Sequence, residues 1–497
     1  MAKVEVNPRL IEAQYAVRGA ITNRAQEIQA DFDSGKNDGY DFDEVIYCNI
    51  GNPQQLNQQP LTYNRQVMAL VDAPFLLDNE KVTAEFPKDV VARAREKVKA
   101  IGGPNKTGAY TMSNGYPFVR KHVAEMITSR DRKASGKADL PESDAGKIFL
   151  TDGASTGVKM ILQVIIGVTS TDSLMIPLPQ YPLYTALLPL IGGAPAPYYL
   201  DEDKGWGLTL EELERSYKAS VDKGEHPRGI VIINPGNPTG QILDASTITD
   251  ILTFANQKNL VVIADEVYQE NIYAEGKSFH SFREMLLLHS DAKVRDTTAL
   301  VSLHTTSKGI IGECGRRGGY AEFMNFTPDV FAQITKIASM GLCSNVNGQI
   351  MTDLMVKPPQ KGEESYESFW AEYNAIFESL RRRAILLHRQ LNNIPGLKCN
   401  VVEGSMYGYA SIDLPQKWHD HVKAQNENDG TKLAADFVWA ISLLNATGIV
   451  VVPGSGFGQK EGTFHFRTTI LPPEPQMEAM TKRMLAFQEK FMKTYGS

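Results

Sequence analysis

Seven short apolar runs mark the middle of this chain and constrain its fold more than any other feature. They are Lys147-Ile-Phe-Leu-Thr151, Ser173-Leu-Met-Ile176, Pro197-Tyr-Tyr-Leu200, Ile230-Val-Ile-Ile233, Val261-Val-Ile-Ala264, Ala299-Leu-Val-Ser302 and Tyr320-Ala-Glu-Phe323. Each is strand-length, most are apolar throughout rather than alternating, and helical stretches separate several of them. Such strands are buried on both faces, so the pattern predicts an α/β fold with a mostly parallel sheet sandwiched by helices. Thr209-Leu-Glu-Glu212 has the pattern of a helix capping box, and Thr327-Pro328-Asp329 reads as an N-cap with proline at the first helical position. The pattern breaks at Val356-Lys-Pro-Pro-Gln-Lys-Gly362. A long charged helix over roughly 364–392 is predicted to bridge into a smaller α+β unit.

A chain of 497 residues can bury a large core and has room for two or three domains. Lys+Arg 51 against Asp+Glu 58 leaves a formal charge of -7. That mild acidity argues against nucleic acid or an anionic membrane as the main partner, so any positive site is local. Cys48, Cys314, Cys343 and Cys399 stand far apart with no C-x-x-C pair, which predicts free thiols in a reducing compartment. No run reaches the apolar length of a membrane span, and Met1-Ala-Lys-Val-Glu-Val-Asn-Pro8 resembles neither a signal nor a transit peptide. The expected compartment is the cytoplasm, with the mitochondrial matrix open if a presequence has been removed.

Three segments carry chemistry. Ser302-Leu-His-Thr-Thr-Ser-Lys308 places a lysine in a small, hydroxyl-rich turn just past an apolar run, and Arg316-Arg317-Gly-Gly follows. A lysine there can form a Schiff base with an aldehyde, and an arginine nearby can fork onto a phosphate. Leu260-Val-Val-Ile-Ala-Asp265 ends a buried-type strand in a carboxylate, with Tyr268 three residues on. Ligands of open α/β sheets bind at such strand ends, and a carboxylate can hold a pyridine nitrogen protonated. Ile230-Val-Ile-Ile-Asn234-Pro-Gly-Asn237-Pro-Thr-Gly240 runs from a strand into a turn-rich loop. Each segment alone has an ordinary explanation: a solvated lysine, an acid at a loop mouth, a turn. Together they point to pyridoxal phosphate.

Gly153-Ala-Ser155-Thr-Gly157 fits G-x-S-x-G between a strand and a helix, the setting of a nucleophile elbow, and Asp413, His421 and His465 follow in a workable order. A serine hydrolase using Ser155 is therefore the alternative. The same glycine-rich turn can instead grip a phosphate at a helix N-terminus. The hydrolase reading leaves Lys308, Asp265 and Asn237 without a role, whereas the cofactor reading uses them all. Gly454-Ser-Gly456-Phe-Gly458 fails the dinucleotide spacing, and His419-Asp-His421 lacks further ligands, so no metal site is expected.

These motifs resemble the fold-type I pyridoxal-phosphate aminotransferases. The likeness runs over nearly the whole chain, from Gln14-Tyr-Ala-Val-Arg-Gly19 to Phe464-His-Phe-Arg467-Thr-Thr-Ile-Leu471. The Ser-Lys-Gly, Glu-Cys-Gly and Arg-Gly-Gly elements are similar to the branch that acts on alanine. The resemblance implies a mixed sheet in a large cofactor-binding domain (79–362). It also implies an N-terminal arm with part of a small domain (1–78), and a small C-terminal domain (363–497). It implies that Lys308 holds the cofactor, Asp265 meets the ring nitrogen, and Tyr268 and Asn237 donate to the ring oxygen. Tyr181 would stack on the ring, while Gly153, Ala154, Ser155, Thr305, Ser307 and Arg317 would surround the phosphate. Arg316 is the alternative to Arg317, because the lysine-to-arginine spacing is one longer than in many relatives. Arg467 would take the substrate α-carboxylate, with Gly51, Asn237 and Tyr181 beside it. Tyr110 would reach the phosphate of a neighbouring subunit, which implies a homodimer. The implied reaction is L-alanine plus 2-oxoglutarate giving pyruvate plus L-glutamate. A different specificity, such as glutamate with glyoxylate, and a catalytically silent relative stay open.

Overall fold

The apolar runs form the strands of one sheet. The structure is a computed structural model describing residues 5–12 and 19–496, so most of Gln14–Gly19 lies outside the described residues. After the two-residue strand β1 (Ile46–Tyr47) the chain forms β2 (Ile148–Leu150), β3 (Asp172–Leu178) and β4 (Ala194–Tyr199). It continues with β5 (His226–Ile233), β6 (Val261–Asp265), β7 (Leu300–Thr305) and β8 (Gly319–Met324). Their order across the sheet is β2-β8-β7-β6-β5-β3-β4. The neighbours from β4 through β7 run parallel, while β8 runs against both β7 and β2. The sheet is thus mostly parallel and mixed, with the Tyr320 run as its reversed strand.

Both faces are covered, which explains the uninterrupted apolar strands. Ile230 and Ile232 of β5 pack with Val262, Ala264 and Leu300 and with Ile248, Ile251 and Leu252 of the helix Ala245–Gln257. Val231 and Ile233 point the other way, into Ile263, Val301 and Leu303 and the helix Ala154–Ile165. Alternate residues therefore enter different cores, and each fully buried aliphatic side chain contributes roughly 1.5–3 kcal/mol. Helix starts follow their sequence signals: Thr209 Oγ1 accepts from the Glu212 N–H at 3.3 Å, and Pro328 opens the helix Pro328–Met340.

The helix Tyr366–Leu391 links two cores. Its Phe369 packs with Val67, Leu70 and Ile350, whereas Leu380, Ala384, Leu387 and Leu391 enter a separate core. That second core is fed by an antiparallel sheet of β9 (Leu397–Cys399), β10 (Tyr407–Ile412), β12 (Val452–Pro453) and β13 (His465–Thr469), in the order β12-β13-β10-β9, with Val452 of β12 packing apart beside Trp206 and Phe457. The strand β11 (Ile449–Val450) pairs in parallel with β1. Ile21, Ala25 and Ile28, from the helix Ala20–Asp33, also join this core. Among the described residues no helix is long and apolar enough to cross a membrane.

Candidate active site

The parallel strands deliver their chemistry at one edge. β6 ends on Asp265, β7 leads through Thr305 into Lys308, β5 leads into Asn237, and Tyr181 follows β3. The segment around Gly51 and the strands β10 and β13 close over this edge. Together they enclose a cavity of about 500 Å³. Gly51, Ala154, Ser155, Tyr181, Asn237, Asp265, Tyr268, Thr305, Ser307, Lys308, Arg317 and Arg467 all line it. No histidine does, among the described residues. His465 instead meets Glu202 and Gln459, and His421 stacks on Trp418, so neither stands with Ser155 as a hydrolase requires.

Asp265 is buried at the strand end. Its Oδ2 accepts a 2.9 Å hydrogen bond from the Tyr184 hydroxyl, while Oδ1 has no hydrogen-bond partner. Burial pushes this carboxyl up to about 6, although the Tyr184 bond, the Val267 N–H and the Lys308 charge oppose the shift. An orphaned carboxylate oxygen on a buried acid fits a protonated ring nitrogen, which would supply the missing donor and charge.

At the other end of the cavity, Gly153 caps the helix Ala154–Ile165 with φ +75° and no side-chain cap. Arg317, itself at φ +55°, lies against this turn. Its Nη1 donates to Ser307 Oγ at 3.2 Å and to the Cys314 carbonyl at 2.9 Å. Its Nη2 donates to the Asp152 carbonyl at 3.1 Å and reaches Ser155 Oγ at 3.5 Å. Arg316 turns away, to Glu313 at 3.7 Å. The helix N-terminus, two serine hydroxyls and a guanidinium form a cup whose donors match a phosphate. Thr305 donates to the Gly318 carbonyl at 2.8 Å and accepts from the Ser307 N–H, which braces the cup.

Lys308 Nζ sits between the two ends, donating to the Gly51 carbonyl at 2.8 Å. A Cβ at Gly51 would strike the Tyr407 hydroxyl and press on Lys308 Nζ, so this close approach requires glycine. Arg467 is 2 % exposed. It donates to the Asn49 carbonyl at 2.6 Å and to Asn237 Oδ1 at 3.1 Å, while its Nε has no partner. Its guanidinium lies 4.1 Å from the Tyr407 ring centroid and 4.7 Å from that of Phe457. Among the described residues no carboxylate pairs with it. A buried guanidinium with a free N–H and no counter-ion among the described residues suits a carboxylate ligand. Asn237 Nδ2 donates to the Tyr268 hydroxyl at 3.4 Å, linking Arg467 to Tyr268.

Tyr110 stands apart from this cavity and is 78 % exposed. Tyr184 and Tyr407 are contributors that the motifs did not single out. Tyr184 lies in the same proline-rich run as Tyr181, a usable signal, but nothing in Gly404-Ser-Met-Tyr407 separates Tyr407 from a core aromatic. Cys314, one of the free thiols, lines the cavity and donates to the Ser307 carbonyl at 3.0 Å.

The chain resembles known proteins in sequence and in fold. The family model described as "Aminotransferase class I and II" matches residues 80–483. An Arabidopsis thaliana protein named "Alanine aminotransferase 1, mitochondrial" is 46 % identical, over 98 % of this chain and 86 % of its own. "Glutamate--glyoxylate aminotransferase 2" from the same plant is 44 % identical, over 99 % and 96 %. Among solved structures, an alanine aminotransferase from Pyrococcus furiosus superposes with a TM-score of 0.74 at 22 % identity, covering 98 % of this chain and all of that one.

Proposed function

The chain belongs to the class I and II aminotransferases, and from that premise we propose that it interconverts L-alanine plus 2-oxoglutarate and pyruvate plus L-glutamate. It is a pyridoxal-phosphate enzyme of the fold-type I architecture. The observation that carries the chemistry is the pairing, in one cavity, of Lys308 with an Asp265 carboxylate oxygen that has no partner. When bound, pyridoxal phosphate supplies an aldehyde for amines and a pyridinium ring that accepts electrons.

The protein's own groups do the rest. The Gly153–Ser155 turn, Ser307 and Arg317 hold the phosphate, with Thr305 bracing them. Tyr181 would lie against the ring, Asp265 would keep its nitrogen protonated, and Asn237 and Tyr268 would serve its oxygen. Arg467 fixes the amino acid by its α-carboxylate, next to Gly51. Lys308 Nζ would act first as general base at the substrate Cα and then, within the same half-reaction, as the general acid that gives the proton back on the cofactor side; the opposite half-reaction runs the transfer in reverse. We further propose a homodimer in which Tyr110 reaches the partner's phosphate cup; its sedimentation mass would be near twice 55.0 kDa. The cytoplasm and the mitochondrial matrix are the two proposed compartments, and imaging of a fluorescent fusion of the full gene separates them.

The visible spectrum of purified enzyme tests the core of this reading. Adding L-alanine should convert the cofactor band, and 2-oxoglutarate should restore it. No change with any amino acid would indicate a silent relative. The glyoxylate-active relative motivates a second assay: if glyoxylate outcompetes 2-oxoglutarate and pyruvate as acceptor, glutamate–glyoxylate transfer replaces alanine transfer.

A further inference from the structure

We propose that Glu202 and His465 form a latch between the two sheets that positions Arg467 for the substrate carboxylate, neither residue touching substrate or cofactor. This rests on the reading above, in which Arg467 takes the α-carboxylate. Arg467 stands on β13 in the four-stranded sheet, whereas Lys308 and Asp265 extend from the seven-stranded one. The gap between them is fixed by contacts across the two sheets, and the turn after β4 supplies one set. There Asp201 and Gly207 pair as a short antiparallel bridge, with Glu202 and Trp206 between them. Glu202 reaches the smaller sheet twice. Its carbonyl accepts from Asn400 Nδ2 at 2.8 Å, and its Oε2 lies 2.9 Å from His465 Nε2. The other ring nitrogen, Nδ1, lies 2.9 Å from Gln459 Oε1. Gln459 is turned that way because its Nε2 donates to Asp436 Oδ2 at 3.0 Å. Both nitrogens of His465 thus face oxygen acceptors, and the ring satisfies both only by donating from each. His465 is itself buried, so these hydrogen bonds decide where the ring sits.

From His465 the placement passes to Arg467 through packed rings. The two residues alternate on β13 and share a face, and Tyr409 lies directly opposite Arg467 on β10. The Tyr409 ring stacks on His465 at 4.8 Å, with 8° between the planes. Phe457 meets Tyr409 edge-on at 6.0 Å and carries the Arg467 guanidinium at 4.7 Å. Trp206, from the same turn as Glu202, closes the stack, 5.5 Å from Tyr409 and 5.7 Å from His465. Trp206, Tyr409 and Phe457 are all buried, so none of these rings can shift alone. The Phe457 carbonyl also accepts from the Gln180 N–H at 3.0 Å, one residue before Tyr181. Asn237 and Asn49 hold the guanidinium; the latch holds the strand beneath it.

The test is the L-alanine half-reaction of the loaded enzyme in single turnover, with propionate, a carboxylate without an amine, as a competing ligand. Glu202→Ala should raise the half-saturating L-alanine concentration and the propionate inhibition constant together, by about fivefold or more. Its limiting rate and its affinity for pyridoxal phosphate should stay within about twofold of the parent, because Lys308, Asp265 and the phosphate cup lie on the other sheet. Glu202→Gln, which keeps an oxygen acceptor, should recover part of the loss. His465→Gln should match Glu202→Ala, and the double variant should be no worse than the worse single, since the pair acts as one unit. Unchanged half-saturation in Glu202→Ala overturns the latch, as does a fall in pyridoxal phosphate affinity of the same size. The Glu202 side chain is 25 % exposed, so this variant decides the matter even where His465→Gln does not fold. Arg467→Lys, run alongside, separates the two readings. If it weakens propionate binding while Glu202→Ala does not, the latch falls and the site reading stands; if it leaves propionate binding unchanged, the site reading itself falls.

Discussion

Asp265 and Arg467 face the same energetic problem, a buried charge waiting for its partner. In the protein without cofactor, the Asp265 carboxyl holds its proton up to about pH 6, against about 3.9 in an unfolded chain. A raised folded value means that stability is fully present below about pH 4 and is lost as pH rises through 6. The two-unit difference corresponds to at most about 3 kcal/mol. Cofactor-free Asp265→Asn should therefore gain on the parent between pH 4 and pH 7, as read by denaturant unfolding of the two proteins side by side. A gap that stays constant over that range would show that burial does not perturb Asp265. In the loaded enzyme the sign reverses. Asp265→Ala should bind cofactor weakly but detectably and lose roughly 3–5 kcal/mol in the Cα deprotonation step, measured in single turnover.

Arg467 gives the second residue-scale prediction. Lysine would keep the charge but could not serve Asn237, Asn49 and a carboxylate from one planar fork. Arg467→Lys should reduce the alanine and glutamate half-reactions alike, by about 100-fold in kcat/KM, or roughly 3 kcal/mol. Loss of one half-reaction alone would place Arg467 on a side chain rather than on the shared α-carboxylate. The side-chain preference should appear in the same experiment, with alanine and glutamate fast and aspartate slow.

At the scale of elements, the turn between β2 and the helix Ala154–Ile165 is the proposed phosphate-binding loop. Gly153 has φ +75° and ψ 166°, a region reserved for glycine, and a Cβ there would also meet the Arg317 guanidinium. Gly153→Ala should cost about 1–3 kcal/mol of local strain and push Arg317 out of the cup. Its affinity for pyridoxal phosphate should fall at least about tenfold, while affinity for pyridoxal, which lacks the phosphate, changes little. Equal losses for both ligands would mean that the turn supports the ring instead. This element was legible in the sequence because a strand, a glycine-rich turn and an apolar helix follow one another without interruption. Asp265 was legible for the same reason, as the first polar group past a run that both sheet faces bury, and Lys308 as the first charged residue after another such run. Tyr407 was not. Its role comes from the register of β10 with β13 and from the approach of Gly51, neither of which leaves a local pattern. The unpaired state of Arg467 was equally hidden, because sequence reveals a charge in apolar surroundings but not whether another chain segment supplies its counter-ion.

For the whole molecule, the telling fact is that the cavity has two owners. Asp265, Asn237 and Lys308 extend from the seven-stranded sheet, whereas Arg467 and Tyr407 stand on the four-stranded one with a different core. The helix Tyr366–Leu391 threads both cores, and Asn237 bonds across the gap to Arg467. Cores of different composition open with different free energies.

Catalysis in this molecule is therefore an AND gate, while cofactor retention needs only one of its inputs. In a urea series, activity should vanish at a lower concentration than the visible band of bound cofactor, leaving a window of coloured but silent protein. Coincident midpoints would show that the two cores melt as a single cooperative unit.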